Sequence, residues 1–561
     1  MSWALTKKYL AILDKEVGFQ KKVWGECLTV CLAFPHFYQT GMSNLGFQTV
    51  YALLNQLPYC LCERVFLPAP GDEVLYRKTR VPLFSLESQK SLTEFDVLAF
   101  SLPFENDYIN VLKMLRLGNI PLKAEERDER YPLCIAGGIS VTLNPEPLAD
   151  FIDAFLIGEG EEVIPEFFAV LKTSFAFGFH KERLMRTAQE SVEGVYCPRF
   201  YDVSYGEDGA IQNIRPQQAV FPARIKRRWI ADINAFTTDQ VIMTPDTEFG
   251  DLFVTEISRG CQRGCRFCAA GFAYRPVRYR DCATIMASVE KGLQTGKRIG
   301  LLGTAISDHP DLPSLCRTVL DKGGKLSLSS LRVDQITTEM AAIIKAAQID
   351  TIALAPEAGS ERLRNVIRKG ISEQQIFTAL KYLTEKGIQN LRLYFLVGLP
   401  TETDDDVDQL IRLVKNICRE YTGRRRAFRR LILSVNAFIP KPHTPFQWHP
   451  LEHIGTIDKR IRKIIQELRN EHGIRVIHDQ FKSYYLQALL SLGDRRVGAI
   501  LSAVHNYDGN WSRALKEIPP GGDFFVYRSK SYDEVLPWDI LAEFVAKSYL
   551  QQEADKAIKQ A

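Results

Sequence analysis

Twice along this chain a short apolar run is followed by a run of helical periodicity, and each time the alternation repeats before it breaks. From 27 to 175 the apolar runs are 27–34, 64–67, 97–102, 133–136 and 154–157, with helical patterns at 44–56, 108–117 and 163–173. Strands joined by helical crossovers pair in parallel, because the helix returns the chain to the end of the sheet where it began. The first block is therefore predicted to be an N-terminal α/β domain over residues 1–175, doubly wound in the flavodoxin or Rossmann manner. Its ligands are expected outside the carboxyl ends of the strands. Residues 176–250 carry Pro198, Pro216, Pro222 and Pro245 without a sustained helical period, and read as a linker with short β structure. The second block, 251–450, has strand candidates at 252–257, 299–302, 325–329, 351–355, 391–397 and 431–438. Helical patterns at 282–295, 338–347, 373–386 and 404–419 separate them. Six such units predict a partial (β/α)6, TIM-like barrel rather than a closed eightfold one. Residues 451–561 read as a helical C-terminal region, with helices at 458–471 and 480–492 and a charged tail, 551–561, expected to fray.

With 46% hydrophobic and 25% charged residues, the 561-residue chain has the balance of an ordinary soluble protein with more than one core. A net charge of +4 is too small to argue for nucleic acid. The N-terminus has no long apolar stretch of the secretory kind, and no apolar run reaches bilayer length. Most of the twelve cysteines stand singly in apolar segments, and Cys134 and Cys197 read as buried small hydrophobes. That usage predicts a reducing, cytoplasmic setting.

Three cysteines do not stand singly. Cys261, Cys265 and Cys268 form Cys-x3-Cys-x2-Cys on the loop after the apolar run Leu252-Phe253-Val254, at a strand end of the kind that carries chemistry in α/β barrels. Three close thiolates can hold an iron–sulfur cluster, and since a [4Fe–4S] cluster takes four cysteines, one iron would be left open. Zinc is the alternative, but it usually takes four ligands. No second Cys pair follows, and His309 and His443 are far away in sequence. Arg259, Arg263 and Arg266 flank the triplet and either offset the charge of a cluster or solvate the loop.

At this point the chain resembles the radical S-adenosylmethionine (SAM) superfamily. The resemblance implies that Cys261, Cys265 and Cys268 bind a [4Fe–4S] cluster whose open iron chelates SAM. One electron then cleaves SAM to a 5′-deoxyadenosyl radical. It also implies SAM contacts. Phe267 matches the aromatic position near adenine, and Thr304 lies in Gly303-Thr304-Ala305-Ile306-Ser307, which lacks the usual Gly-Gly-Glu character. Ser330 and Arg332 follow the third strand, where the planar guanidinium of Arg332 suits a carboxylate. Glu357 ends the fourth strand and Gly398 the fifth. His443, in the proline-rich run after the sixth, is the candidate acid/base; the alternative there is a packed turn.

The first block resembles the cobalamin-binding subset of that superfamily, at Ser101-Leu102, at Gly137-Gly138 and at Ile157-Gly158-Glu159-Gly160-Glu161. With Leu536-Pro537-Trp538-Asp539 near the C-terminus, the whole chain resembles an uncharacterised branch joining a cobalamin-like domain to the barrel. Cobalt-ligating loops have Asp-x-His-x-x-Gly; here His36-Phe37-Tyr38-Gln39-Thr40-Gly41 puts Tyr38 at the histidine position, ahead of Gly41. The implied contacts with cobalamin are Tyr38, Gly41, Ser101, Leu102, Gly137 and Gly138. The function implied is a cobalamin-dependent C-methyltransferase served by an electron donor such as ferredoxin or flavodoxin, with an undefined substrate. The alternatives are an RNA-modifying radical SAM enzyme without cobalamin, or a non-catalytic iron–sulfur or corrinoid protein. The basic run Arg424-Arg425-Arg426-Ala427-Phe428-Arg429-Arg430 precedes the sixth strand, on the face away from the cysteines, so it reads as a solvated loop and not as a nucleic-acid site.

Overall fold

Leu28–Phe34 (β1), Cys60–Phe66 (β2), Val97–Ser101 (β3), Leu133–Gly137 (β4), Ala154–Leu156 (β5) and Val195–Tyr196 (β6) form one sheet in the order β2-β1-β3-β4-β5-β6. The structure is a computed structural model that describes residues 3–25, 27–176, 180–329, 331–421 and 428–560. β1 to β5 are parallel and β6 pairs antiparallel with β5. Every position of β1 and β2 is buried, as expected of strands covered by helices on both faces. The order reverses between β1 and β3, which is where a doubly wound sheet opens a crevice.

β2 begins four residues before the apolar run that marks it, because Glu63 and Arg64 interrupt the pattern while remaining inside. Arg64, fully buried, donates from Nη2 to Glu16 Oε2 at 2.6 Å and from Nε to Glu87 Oε1 at 2.6 Å. Glu63 accepts from Ser85 Oγ and Ser88 Oγ, both at 2.6 Å, and from Trp24 Nε1 at 2.9 Å. The segment expected as linker differs too. Helix Lys181–Ser191 and β6 extend the first sheet, and a hairpin follows at Tyr201–Tyr205 and Ile211–Pro216. That helix shows few apolar residues, with Leu184, Met185 and Ala188 buried, so its period is faint in sequence.

The second block is a partial barrel. Its strands are Leu252–Arg259, Arg298–Gly303, Leu326–Leu328, Thr351–Glu357, Asn390–Val397 and Arg430–Ala437, lying in two parallel sets joined by a bridge between Leu331 and Leu354. A seventh parallel strand, Ile474–Ile477, pairs with the sixth inside the region expected to be helical. Four residues are too short a run for a period of two to be read. Burial alternates along the fourth and fifth strands: Leu391, Leu393 and Phe395 are buried, while Arg392, Tyr394 and Leu396 are half-buried on the other face.

The C-terminal helices hold these pieces together. Helix Val497–Asn506 packs on helix Tyr108–Leu117 of the first block, and helix Lys547–Lys559 packs on Glu361–Val366 of the barrel. The tail is thus not frayed through 559: Leu550, Ala554 and Ala557 are buried and Glu553 pairs with Arg266 and Arg368. Trp538, in the Leu-Pro-Trp-Asp stretch, donates from Nε1 to Gln447 Oε1 at 2.6 Å and fixes the loop after the sixth strand. No helix among the described residues is long and apolar enough to cross a membrane. Arg424 to Ala427 of the basic run lie outside the described residues.

Replacing Arg64 by Met would leave Glu16 and Glu87 buried without their cation. Breaking such a pair costs about 3–5 kcal/mol, so R64M is expected to lower the denaturant midpoint of the first block markedly. An unchanged midpoint in urea, followed by circular dichroism, would remove Arg64 from the account of the fold.

Candidate functional site

The first barrel strand ends at Arg259, and the chain then turns through Gly260 and Gly264, at φ +86° and +68°. A Cβ on Gly260 would stand 2.5 Å from the carbonyl oxygen of Tyr274, so only glycine permits this path. The turn brings Cys261, Cys265 and Cys268 to one loop, with Cys265 buried and the other two half-buried. The amide of Arg263 approaches Cys261 Sγ at 3.5 Å, and the Cys268 amide donates to the Cys265 carbonyl at 3.1 Å. Burial pushes the Cys268 thiol up to about 11 and also raises Cys265, against the pull of the Lys369 and Arg332 cations. Among the described residues no three His, Cys, Asp or Glu side chains converge on one ion-sized point. A cluster makes a different demand, since each thiolate binds its own iron. The loop's donor set of three thiols fits that demand.

The three flanking arginines neither solvate the loop nor carry free charge. Arg259 Nη2 donates to Glu161 and Glu256, each at 2.8 Å, and its Nη1 lies 3.1 Å from Glu159. Arg263 pairs with Asp308 at 2.6 Å and with Asp334 at 3.4 Å. Arg266 reaches Glu553 at 3.2 Å and the Val366 carbonyl at 2.7 Å. The cations left beside Cys265 are Lys369 and Arg332.

Sequence reasoning missed Lys369. It is buried and pairs with Glu357 at 3.2 Å, yet it belongs to the loop after helix Glu361–Val366, where no strand-end signal marks it. Glu357 itself has φ +70° beside a register shift in the fourth strand. A non-glycine residue held there is strained backbone of the kind found at functional sites. Arg332 is engaged by Asp334 at 2.9 Å and donates to the Lys369 carbonyl at 3.2 Å. The structure thus gathers Cys265, Glu357, Lys369 and Arg332. Phe267 packs against the small core around Ala358, Leu399 and Phe438. The amide of Gly398 donates to Glu402 Oε2 at 2.6 Å, and burial raises that carboxyl to about 7. Ser330 lies outside the described residues.

His443 is elsewhere. It is buried at φ +58° with its ring stacked on Phe544 at 3.6 Å, and its Nε2 has no hydrogen-bond partner among the described residues. Burial lowers it to about 3, so the imidazole is neutral. It shares Gln447 with Trp538 through its own amide, at 3.0 Å, and does not line the cavity described next. This is the packed-turn alternative, not an exposed acid or base.

A cavity of about 430 Å³ joins the two blocks. At one end it enters between the sheet and its helices, over Leu32, Ala99 and Ile135, with Val50 and Phe168 as walls. It passes Ser101, Gly137 and Gly138 at the carboxyl edge and reaches Glu256, Ser258, Arg259 and Thr304 at the barrel. Gly138 is at φ +113°, and a Cβ there would meet the Leu102 carbonyl oxygen at 2.6 Å. Gly137 would meet nothing closer than 3.5 Å, which leaves that edge open. Ser258, also missed in sequence, is buried, and its hydroxyl has no hydrogen-bond partner among the described residues. Tyr38, Gly41 and Leu102 are not among the lining residues. The Tyr38 hydroxyl turns inward and donates to Glu16 at 2.6 Å, joining the Arg64 ion cluster. The small-residue edge and apolar slot fit a large ligand with an extended arm; the Tyr38 loop supplies no ligating group to them.

Residues 46–198 match the family described as radical SAM proteins, N-terminal, and residues 255–414 match the radical SAM superfamily. Uncharacterized protein MJ0966 of Methanocaldococcus jannaschii is 31% identical over 484 residues, covering 85% of this chain and 91% of that protein. Threonylcarbamoyladenosine tRNA methylthiotransferase MtaB of Aquifex aeolicus is 24% identical over 177 residues, 30% of this chain and 43% of its own length. A solved structure of the radical S-adenosylmethionine methyltransferase TsrM from Kitasatospora setae, with cobalamin and a [4Fe–4S] cluster bound, is 14% identical. It covers 73% of this chain and 75% of that one at a TM-score of 0.48.

The loop path generates one prediction. G260A forces a methyl group onto the Tyr274 carbonyl at a strained φ, a conflict of about 1–3 kcal/mol placed one residue before Cys261. Iron retained per chain after anaerobic reconstitution is expected to fall severalfold while circular dichroism stays unchanged. Full iron retention in G260A would show that the turn does not position the thiols.

Proposed function

This chain belongs to the radical SAM superfamily, and on that premise we propose that it is a cobalamin-dependent radical SAM enzyme that methylates an unactivated carbon. The observation that carries the reading is the continuous cavity from the Gly137–Gly138 edge to Ser258 and Arg259, immediately before the cysteine loop. When bound, the cluster supplies the electron that splits SAM to a 5′-deoxyadenosyl radical, and the corrinoid supplies a methyl group.

The residues contribute binding and positioning. Cys261, Cys265 and Cys268 are the cluster ligands. The amino-acid end of SAM carries an ammonium and a carboxylate together, and the fourth strand end offers the complement: Glu357 for the former, Lys369 and Arg332 for the latter. Phe267 provides an apolar surface beside them, and Thr304 and Ser258 provide hydroxyls at the barrel end of the cavity. Gly398 keeps the fifth strand end free of a side chain. Ser101, Gly137 and Gly138 flank the corrinoid, whose arm would enter the slot over Ala99. Because its hydroxyl is committed to Glu16, Tyr38 would not be among the residues that hold the corrinoid.

The test is anaerobic reconstitution with iron and sulfide followed by SAM and dithionite. 5′-Deoxyadenosine is expected from the wild type and not from C261A/C265A/C268A. A wild type with a full cluster and no 5′-deoxyadenosine, with candidate substrates present, would overturn the radical reading. For the corrinoid, added hydroxocobalamin is expected to be retained with a visible spectrum that Y38F leaves unchanged, while loss of the Glu16 hydrogen bond costs Y38F about 1 kcal/mol. A Y38F spectrum shifted from the wild type would make Tyr38 a cobalt ligand after all.

A further inference from the structure

Among the described residues, every buried arginine but one stands within 3.7 Å of a carboxylate oxygen. The exception is Arg227, which is 4% exposed. Its side chain makes three hydrogen bonds, all to main-chain carbonyls: Nε to Glu543 at 3.3 Å, Nη2 to Glu543 at 3.2 Å and Nη2 to Arg275 at 2.7 Å. Nη1 has no hydrogen-bond partner among the described residues. Burial pulls Arg227 below the ordinary arginine range, against the more distant Glu159 carboxylate, yet a guanidinium keeps its proton in a protein. The strand pair of Ile225–Lys226 with Leu541–Ala542 carries Arg227 to the cavity that joins the two blocks, which it lines. Its bond to the Arg275 carbonyl sets it at the barrel end, just beyond the thiol loop. Tyr274 lines the same cavity, and its hydroxyl has no hydrogen-bond partner among the described residues. The acids of this wall, Glu159, Glu161 and Glu256, are all paired with Arg259. The cavity thus has one cation with no acid of its own.

We propose that Arg227 holds an anionic group of the substrate, a carboxylate or a phosphate, with the Tyr274 hydroxyl as a second donor. That the ligand is the substrate rests on the methyltransferase reading above; that it is an anion rests on Arg227. A guanidinium taken out of water without a counter-charge is costly, and a carboxylate or phosphate offsets that cost through charge-assisted hydrogen bonds. The cofactors do not supply this charge. The carboxylate of SAM meets Lys369 and Arg332 in that reading, and neither lines this cavity. The rim of a corrin ring carries neutral amides, and its one phosphodiester belongs to the arm, in the slot over Ala99. A cationic or wholly apolar substrate would leave Arg227 unmatched.

The probes are hexanoate, hexyl phosphate and the neutral hexanamide, titrated calorimetrically into the anaerobically reconstituted enzyme with and without hydroxocobalamin. The wild type is expected to bind at least one of the two anions about tenfold or more tightly than hexanamide. R227Q is expected to lose that preference, and R227K, which keeps the charge but not the planar fork, to retain part of it. Y274F removes a hydroxyl that holds nothing else, so its melting temperature should match the wild type while anion affinity falls severalfold. If the wild type prefers neither anion, or if R227Q keeps the preference, the anion site is wrong. Cobinamide, which lacks the phosphodiester, separates the two sources of anion. Weaker retention of hydroxocobalamin by R227Q, with cobinamide retained as in the wild type, would assign Arg227 to the corrinoid's phosphate and overturn the proposal. If the wild type retains no corrinoid while anion preference still follows Arg227, the methyltransferase reading fails and Arg227 remains an anion site for another ligand.

Discussion

The loop from Gly260 to Cys268 is fixed by arginines that reach three separate parts of the chain. Arg259 joins it to Glu159 and Glu161, which follow the fifth strand of the first block, Arg263 to Asp308 and Asp334 after the second and third barrel strands, and Arg266 to Glu553 of the C-terminal helix. Arg278 and Arg280 extend the first of these contacts, pairing with Glu159 at 2.6 Å and Glu256 at 2.9 Å. Buried ion pairs are a poor source of stability, since desolvation offsets most of the attraction. Their use here is geometric. Each guanidinium accepts few arrangements of carboxylates, so three of them restrict where the thiols stand relative to sheet, barrel and C-terminal helix at once.

That arrangement also decides which charges remain for chemistry. The clamping arginines are each matched by carboxylates, and the positive charge near Cys265 comes from Lys369 and Arg332. Both are shared with acids of their own, Glu357 and Asp334. A zwitterionic ligand arriving there would meet acid and base already paired at fixed positions, and would exchange those pairs for its own. The strained backbone of Glu357 is consistent with such preorganisation, because a relaxed strand end would not hold a carboxylate at φ +70°.

Much of this was legible in the sequence, for identifiable reasons. β1, β3 and β4 are continuous apolar runs, and the Cys-x3-Cys-x2-Cys spacing is local. What stayed hidden was long-range. Glu63 and Arg64 hid the start of β2 because their partners, Glu16, Ser85 and Glu87, lie on other segments. The strand Ile474–Ile477 is too short for its period to show. Residues 551–559 look like a solvated tail until Glu553 is seen beneath Arg266 and Arg368. His443 has the composition of an active-site residue, but stacking on Phe544 and a shared Gln447 make it part of the packing.

The same long-range contacts explain how two blocks of like architecture form one site. Each sheet alone would present a carboxyl edge to solvent; here the two edges line one cavity, Gly137 and Gly138 from the first sheet and Ser258 and Arg259 from the barrel. The cavity that includes all four exists because Arg259 bonds across the seam to Glu159 and Glu161. The residue that sets the start of the thiol loop therefore also sets the distance between the sheet's open edge and the barrel mouth. A change in one cannot be absorbed without moving the other, which ties the position of the thiols to the shape of the space in front of them.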